Sequence, residues 1–580
     1  MNAHRILLLS NVRPSRAWKV VNRIARELAG AEVHGIVQRP LQKLPVEQQW
    51  IAAGRTDRPA LAVRLLSRAN LWLQTVLKRL MHFALWWVHG IPGNLPGATQ
   101  FTIGELAKKC GQVGWPFLLA ENLNDARVVE FVRQQKPELA ILLGHLPLSP
   151  ELLAVPARGW IRVCQSAVER DGTNAEEGHE IKIEYLARDS DTVFTMARLT
   201  LPFEAYDGLA GSTLKADLIA DDLLVETAVG LQTGSQAEVC KAVAEWLQRI
   251  FLPYLRQLRP VPIKTRPDTP RPSRFRPSWK LCLDTLLLCS PFVVGRNWYR
   301  RWCARYPVLI LTHHLVSDRP HRLAISTEFF WQQVLFLQRH YRIVSLSEAV
   351  ELLASREVQA PTVVLTFDDG YGDNFVSLRA VAEETGVPVA LFIATQPVQT
   401  HQEFQHDLAA GIRGALPLTW DQIRYWSLRG AEFGSHTRTH FDCGSTDRTT
   451  LEQEMIGSRN DLESHLAKPV EFFAFPFGKY ENMSSEAVKV ATSTYQHFAS
   501  SVGGENLHGR AAGHQHLFRK NLYADPWELE LGLQSVFDMV DNIKRKLHRR
   551  RAESSFPGEP STARALTIST SRSPELKVSS

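Results

Sequence analysis

Six prolines and a cluster of arginines crowd residues 258–278, and no other feature so constrains what this chain can fold into. Proline fixes φ and removes a backbone donor, and a stretch this basic has little apolar surface to bury, so it reads as an extended spacer. Whatever lies on either side must then close a core of its own. At ~150 residues per domain, a chain of 580 residues has room for several. The expected division is 1–257, the linker 258–278, an apolar and basic connecting segment 279–305, a second globular part 306–543, and a tail 544–580. The tail is basic through Arg551, then rich in Ser, Pro and Thr, and should be disordered.

Both globular parts alternate short apolar strands with helical patterns, which predicts α/β folds with parallel sheets under helical cover. The first part opens with a strand at Arg5–Leu9. A helical spacing follows over Asn124–Gln135, then a strand at Leu139–Leu143 and a mostly helical Ala216–Leu255. In the second part, strands are expected at Val308–Leu311, Thr362–Thr366, Val389–Ile393, Ala431–Gly434 and Phe472–Phe475.

The charge balance is 67 basic against 60 acidic residues, net +7. The basic residues gather in the linker and tail and form no recognisable reading helix, so nucleic acid is not an expected partner. Seven scattered cysteines without a CxxC pair argue against a disulfide framework and against a cysteine zinc site. The short strand at the N-terminus does not resemble a secretory signal, and no run of ~18 uncharged apolar residues is present. These features predict a cytoplasmic protein. A peripheral contact with the inner face of the membrane is the functional reading of two apolar segments, Leu71–Val88 and Leu281–Gly295, the latter flanked by Arg296, Arg300 and Arg301.

The chemistry concentrates in the second part. Thr366-Phe367-Asp368-Asp369-Gly370 follows a strand and sets two acids where barrel-like α/β folds place catalytic groups. Adjacent carboxylates repel and need a cation or a shared proton. His436 and His440, four apart after another strand, converge on one turn or tight loop, and two imidazoles with one carboxylate make a common catalytic metal set. Phe472–Phe475 ends in Pro476-Phe477-Gly478, a strand end that can aim backbone N–H groups at an oxyanion.

Together these residues resemble the NodB-type polysaccharide deacetylases (carbohydrate esterase family 4), over roughly 306–540. The TFDDG motif is complete at 366–370, as is H-S/T-x-x-H at 436–440. Leu311-Thr312-His313-His314 is similar to the family's opening strand. The resemblance implies a distorted (β/α) barrel. It assigns Asp369, His436 and His440 to a divalent metal, zinc foremost, and Asp368 to the general base. The Phe477 backbone N–H would face the oxyanion, and His314, Pro476 and Tyr480 would line the substrate pocket. Two departures stand out. Ala474 occupies the place of an arginine that steadies the base in many members, and the Leu-x-His motif of the general acid is missing. His514 and His516 lie in its region, and His516 is the expected acid.

The first part resembles the formyltransferases that use 10-formyltetrahydrofolate on a Rossmann-like fold, mainly over Leu139–Ser166 and Gly178–Leu224. At the positions of that family's Asn, His and Asp stand Arg162, Cys164 and Asp189. A cation in place of the amide donor and a thiol in place of the imidazole imply a retained fold without formyl transfer, and no folate is expected. Arg162 beside Asp189 suggests an ion pair.

The reading that follows is a metal-dependent hydrolase that removes an N-acyl, foremost an N-acetyl, group from an amino sugar. It would act in surface polysaccharide or glycolipid synthesis, on a nucleotide sugar or a lipid-linked sugar. Two alternatives stay open: a deformylase of an N-formylated amino sugar on a lipid carrier, and a non-catalytic glycan-binding scaffold.

Overall fold

The computed structural model describes residues 4–27, 31–39, 101–144, 146–168, 178–188, 193–204, 207–258, 290–356, 358–507, 516–521, 529 and 532–534. Leu71–Val88, residues 259–289 (nearly all of the linker and the start of the connecting segment), Asp189, His514 and the tail lie outside them.

The first part is built on a seven-stranded sheet. Its strands are β1 (His4–Ser10), β2 (Ala31–Gln38), β3 (Phe117–Leu119), β4 (Leu139–Leu143), β5 (Trp160–Val168), β6 (Gly178–Leu186) and β7 (Val193–Pro202), in spatial order 3-2-1-4-5-6-7. The first five are parallel, and β6 and β7 turn antiparallel. Central β4 is apolar at every position and buried at every position, as a strand covered on both faces must be. This Rossmann-like order reverses direction between β1 and β4, as in open α/β folds generally.

The second part closes on itself. Its strands are β8 (Val308–His313), β9 (Leu315–Val316), β10 (Ala324–Ile325), β11 (Arg342–Ile343), β12 (Thr362–Phe367), β13 (Ala390–Ile393), β14 (Glu432–Ser435), β15 (Phe472–Ala474), β16 (His497–Ser500) and β17 (His516–Asn521). The parallel strands β12 to β17 run in order back to β8, which pairs with both β17 and β12, and β11 adds to the start of β12. This is a seven-stranded (β/α) barrel. Alternate residues point inward: Ile310, Val364, Ala390, Phe392, Ala474, Ala499 and Leu517 fill the interior. The residues between them face the surrounding helices.

The two parts meet across the helix Leu209–Thr233. Its apolar residues are buried almost all round, as in a helix enclosed on every side. Four of its charged residues, Lys215, Asp217, Asp221 and Asp222, are buried as well, and each is paired. Arg379, from the barrel helix Ser377–Thr385, and Arg23, from the helix Pro14–Glu27, both bind Asp222. Burial would raise that carboxyl, but the two guanidinium groups outweigh it and hold Asp222 below its ordinary range. Lys215 Nζ lies 2.6 Å from Glu204, 2.6 Å from Asp207 and 2.9 Å from Asp318 of the barrel. Those three carboxylates could frame a cation, and the ammonium stands in that place.

Among the described residues no helix is long and apolar enough to cross a membrane. Only Ser290–Gly295 of the second apolar segment is described. There Pro291 opens the helix Pro291–Trp302 at its first position, where proline is tolerated, with Ser290 as N-cap. Arg296 and Arg300, expected as flanking membrane cations, turn inward to Gln534 and Glu505.

Candidate active site

The barrel strands finish at one rim, and the motif residues gather there. After β12 the chain turns sharply: Asp368 N–H donates to His313 O at 2.9 Å, and Asp369 and Gly370 adopt φ of 70° and 91°. An aspartate in the left-handed region is strained, and here the strain aims its carboxylate inward. Gly370 is required at its position, since a Cβ would lie 2.9 Å from Ile393 Cδ1. Thr437, His440 and Phe477 also have positive φ, so four strained non-glycine residues ring one site.

His436 follows β14, and its Nδ1 lies 2.8 Å from Ala474 O. Donation to that carbonyl sets the tautomer and leaves Nε2 facing Asp369 Oδ1 at 3.4 Å. His440 Nε2 is 3.2 Å from the same oxygen. The two imidazoles are carried on a tight loop, held by Glu454, which accepts from the Arg438 and Thr439 N–H groups at 2.9 Å each. One ligand atom from each of Asp369, His436 and His440 lies within 4.8 Å of the others. Asp369 is 1% exposed, and neither of its oxygens receives a well-formed hydrogen bond. A buried carboxylate in that state is costly without a cation. These donors, one carboxylate and two Nε2 atoms, fit a divalent metal. Burial would push Asp369 up, but the facing histidines outweigh it and hold it well below the carboxylate range. Burial would likewise lower His440, but Asp369 raises it.

Asp368 is held by a residue that the motifs did not reveal. Arg519, fully buried on β17, grips it with both arms, Nη1 to Oδ1 at 2.6 Å and Nη2 to Oδ2 at 2.8 Å. Thr312 Oγ1 adds a hydrogen bond to Oδ2 at 3.2 Å. Burial would raise Asp368, but Arg519 and then His436 outweigh it, and its pKa is lowered. The guanidinium missing at Ala474 therefore reaches the base from another strand. The available signal was an arginine inside an apolar strand, Leu517-Phe518-Arg519, which is seldom buried without a partner.

His516 does not reach the site. It starts β17 on the face opposite Leu517 and Arg519, stacks on Phe498 at 4.9 Å, and has its Nε2 2.7 Å from Ser500 Oγ. Strand alternation turns it outward, and its position at the strand start sets it at the far rim. His314 stays at the site rim. Its carbonyl accepts from Asn374 Nδ2 at 2.8 Å, and its half-buried imidazole helps to lower both Asp368 and Asp369. The Phe477 ring is half exposed and edges onto His440 at 4.8 Å, over buried Pro476. Tyr480 starts the turn Tyr480–Asn482 and packs partly on the core.

The motifs also did not reveal His406. Its Nε2 is 3.7 Å from Asp369 Oδ2 and 2.9 Å from Tyr371 Oη, and Tyr371 donates to Asp407 at 2.7 Å. It lies in a loop helix, Gln405–Ala409, with no sequence motif to mark it.

In the first part, Arg162 pairs with Glu184, its Nε and Nη2 lying 2.8 and 2.6 Å from Glu184 Oε2, while Asp189, the expected partner, lies outside the described residues. The register explains this, since Arg162 sits directly opposite Glu184 across β5 and β6. The Cys164 thiol donates to the same oxygen at 3.3 Å. Burial, then that hydrogen bond, pushes the thiol up to about 11, which keeps it protonated at neutral pH.

Residues 355–495, which lie within the barrel, match the family described as polysaccharide deacetylase. The Bacillus subtilis (strain 168) protein YxkH, whose name carries the words polysaccharide deacetylase, is 22% identical over 192 residues, covering 33% of this chain and 62% of that protein. This chain thus spans less than two thirds of that relative's length. Among solved structures, the Streptococcus pyogenes deacetylase PplD in complex with acetate is 21% identical, covering 40% of this chain and 98% of that one, with a TM-score of 0.33. Phosphoribosylglycinamide formyltransferase from Bacillus halodurans is 12% identical, covering 43% of this chain and 99% of that one, with a TM-score of 0.24. The fold assignments rest on strand order and closure, which these likenesses accompany.

Proposed function

We propose that the barrel hydrolyses an N-acyl group, foremost N-acetyl, from an amino sugar destined for surface polysaccharide or glycolipid. One observation carries the reading: a buried carboxylate without well-formed hydrogen bonds, Asp369, faces two oriented imidazoles, beside a second carboxylate locked by Arg519. Asp369, His436 and His440 would hold a divalent cation, zinc foremost, which supplies Lewis acidity and a water of lowered pKa. Asp368 takes the proton from the attacking water, and Arg519 and Thr312 keep its oxygens aimed. The Phe477 backbone N–H supports the oxyanion as charge develops on the acyl oxygen. His314 stands at the rim on the β8 end, placed to hold the sugar. Its support is its half-burial, its anchored carbonyl and its electrostatic reach to both aspartates.

The substrate is a nucleotide sugar or a lipid-linked sugar met in the cytoplasm. The first part serves as a scaffold that performs no formyl transfer, because Arg162 and a thiol that stays protonated, Cys164, stand where that chemistry needs an amide donor and an imidazole. The deciding experiment incubates metal-loaded protein with N-acetyl and N-formyl sugar nucleotides and lipid-linked sugars, and assays both new amine and released acid. Acetate supports the favoured reading, and formate shifts it to a deformylase. Stoichiometric metal with no new amine from any member of the panel refutes it.

A further inference from the structure

The helix Pro291–Trp302 carries a surface that the hydrolytic site does not use. With each residue turning about 100° around the axis, Val293, Arg296, Asn297 and Arg300 share the face toward the barrel. Val293 is buried, Arg296 donates to Gln534 O at 2.7 Å, and Arg300 Nη1 donates to Glu505 Oε1 at 2.9 Å. The other face presents Phe292, Trp298, Tyr299 and Trp302, exposed by 67, 49, 56 and 87%. An aromatic stripe of this kind in water marks a contact surface.

We infer that this stripe docks on an anionic lipid surface. Its composition fits one: two Trp and one Tyr, each an apolar body with a polar tip, suit the zone between acyl chains and headgroups. Arg301 lies over the Trp298 ring at 5.6 Å and Arg305 is exposed nearby, so cations border the stripe. Continuity adds two further signals. The chain enters this helix at Ser290 directly from Leu281-Cys-Leu-Asp-Thr-Leu-Leu-Leu-Cys289, nine residues of which seven are apolar. It leaves Gln534, which the helix holds through Arg296 and Asn297, toward the basic run Lys544–Arg551. The described surface thus pairs an aromatic stripe with the cations Arg301 and Arg305, the combined hydrophobic and electrostatic signals that peripheral membrane binding needs, and the sequence on either side adds more of both.

The docked orientation follows from the fold. Trp302 lies six residues before Val308, where β8 starts, whereas the metal-type cluster lies where the strands finish. The lipid-bound protein turns its cluster away from the bilayer, so an amide must arrive on an extended glycan or from solution. This inference stands apart from the hydrolase reading, since either can fail alone.

The test floats the full-length, metal-loaded protein with vesicles of phosphatidylcholine, alone or mixed with phosphatidylglycerol. Wild type is expected to float with the mixed vesicles, less so at high salt. Trp298→Ser/Trp302→Ser is expected to lose on the order of tenfold or more in binding, with an unchanged circular dichroism spectrum and thermal midpoint. Its turnover of a soluble substrate should also be unchanged. A wild type that ignores both vesicles overturns the inference, as does a folded double variant that binds equally well. Two results assign the stripe elsewhere and also overturn it. One is protection of Trp302 from oxidative labelling that is lost on deleting residues 535–580, which makes that segment the occupant. The other is a wild-type dimer that the double variant dissociates, which makes a second copy the occupant.

Discussion

Two of this molecule's arginine–carboxylate pairs, Arg162–Glu184 in the first α/β part and Arg519–Asp368 in the barrel, have opposite consequences. In the first part, Glu184 receives both Arg162 and the Cys164 thiol, so its Oε2 is engaged twice by the protein. In the barrel, Arg519 engages Asp368 alone and leaves the neighbouring Asp369 buried, without well-formed hydrogen bonds and facing two oriented imidazoles. A functional α/β site needs more than charged residues near the strand ends. It needs one group left unsatisfied by the protein, so that a metal or substrate completes it. The first part lacks such a group among Arg162, Cys164 and Glu184, and the barrel keeps one.

The sharpest break of this contrast is Asp369→Asn, which should abolish stoichiometric metal binding and lower turnover by about 10³-fold or more. Elemental analysis with a deacetylation assay reads both, and retained metal would remove Asp369 from the ligand set. Next, Asp368→Asn should lower turnover by about 10²–10⁴-fold while metal stays bound; an unchanged rate would send the base assignment elsewhere.

Arg519→Met should cost about 3–5 kcal/mol, because it leaves a buried carboxylate unpaired. The sign can be checked against pH. Asp368 is depressed in the folded state, so its contribution is present above the unfolded carboxylate range and is lost as pH falls through the folded value. Chemical denaturation should therefore show the variant's deficit at neutral pH and its decline toward strong acid.

Arg300→Met probes a pair outside either site. Burial would raise Glu505, but Arg300 outweighs it and holds the carboxyl at about 2 against an ordinary 4.5. The pair contributes on the order of 3 kcal/mol above pH 4.5. Wild type should lose that margin between pH 4.5 and 2, and the variant should lack most of it, the remainder coming from Lys520 and Arg296. The smallest effect belongs to the silent pair. Cys164→Ala should cost about 1 kcal/mol or less and leave deacetylation unchanged. A rate that falls with Cys164 would show that the first part takes part in the chemistry.

Periodicity and motif order determined a good deal. The expected strands at Leu139–Leu143, Val308–Leu311 and Thr362–Thr366 lie within β4, β8 and β12, because a parallel strand buried on both faces must be written as a continuous apolar run. Asp368, Asp369, His436 and His440 were legible because their chemistry is local: a strand end, a turn and a four-residue spacing. Arg519, Thr312 and His406 were not, since each comes from a distant element and only barrel closure brings it to the aspartates. His516 shows the same limit in reverse, for one residue along a strand decides which face a side chain takes, and only the register settles it. Arg162 found its partner by strand pairing for the same reason. The sequence alone determined the local geometry of the donors; the tertiary structure decided which buried charges are satisfied, because that depends on neighbours far apart along the chain.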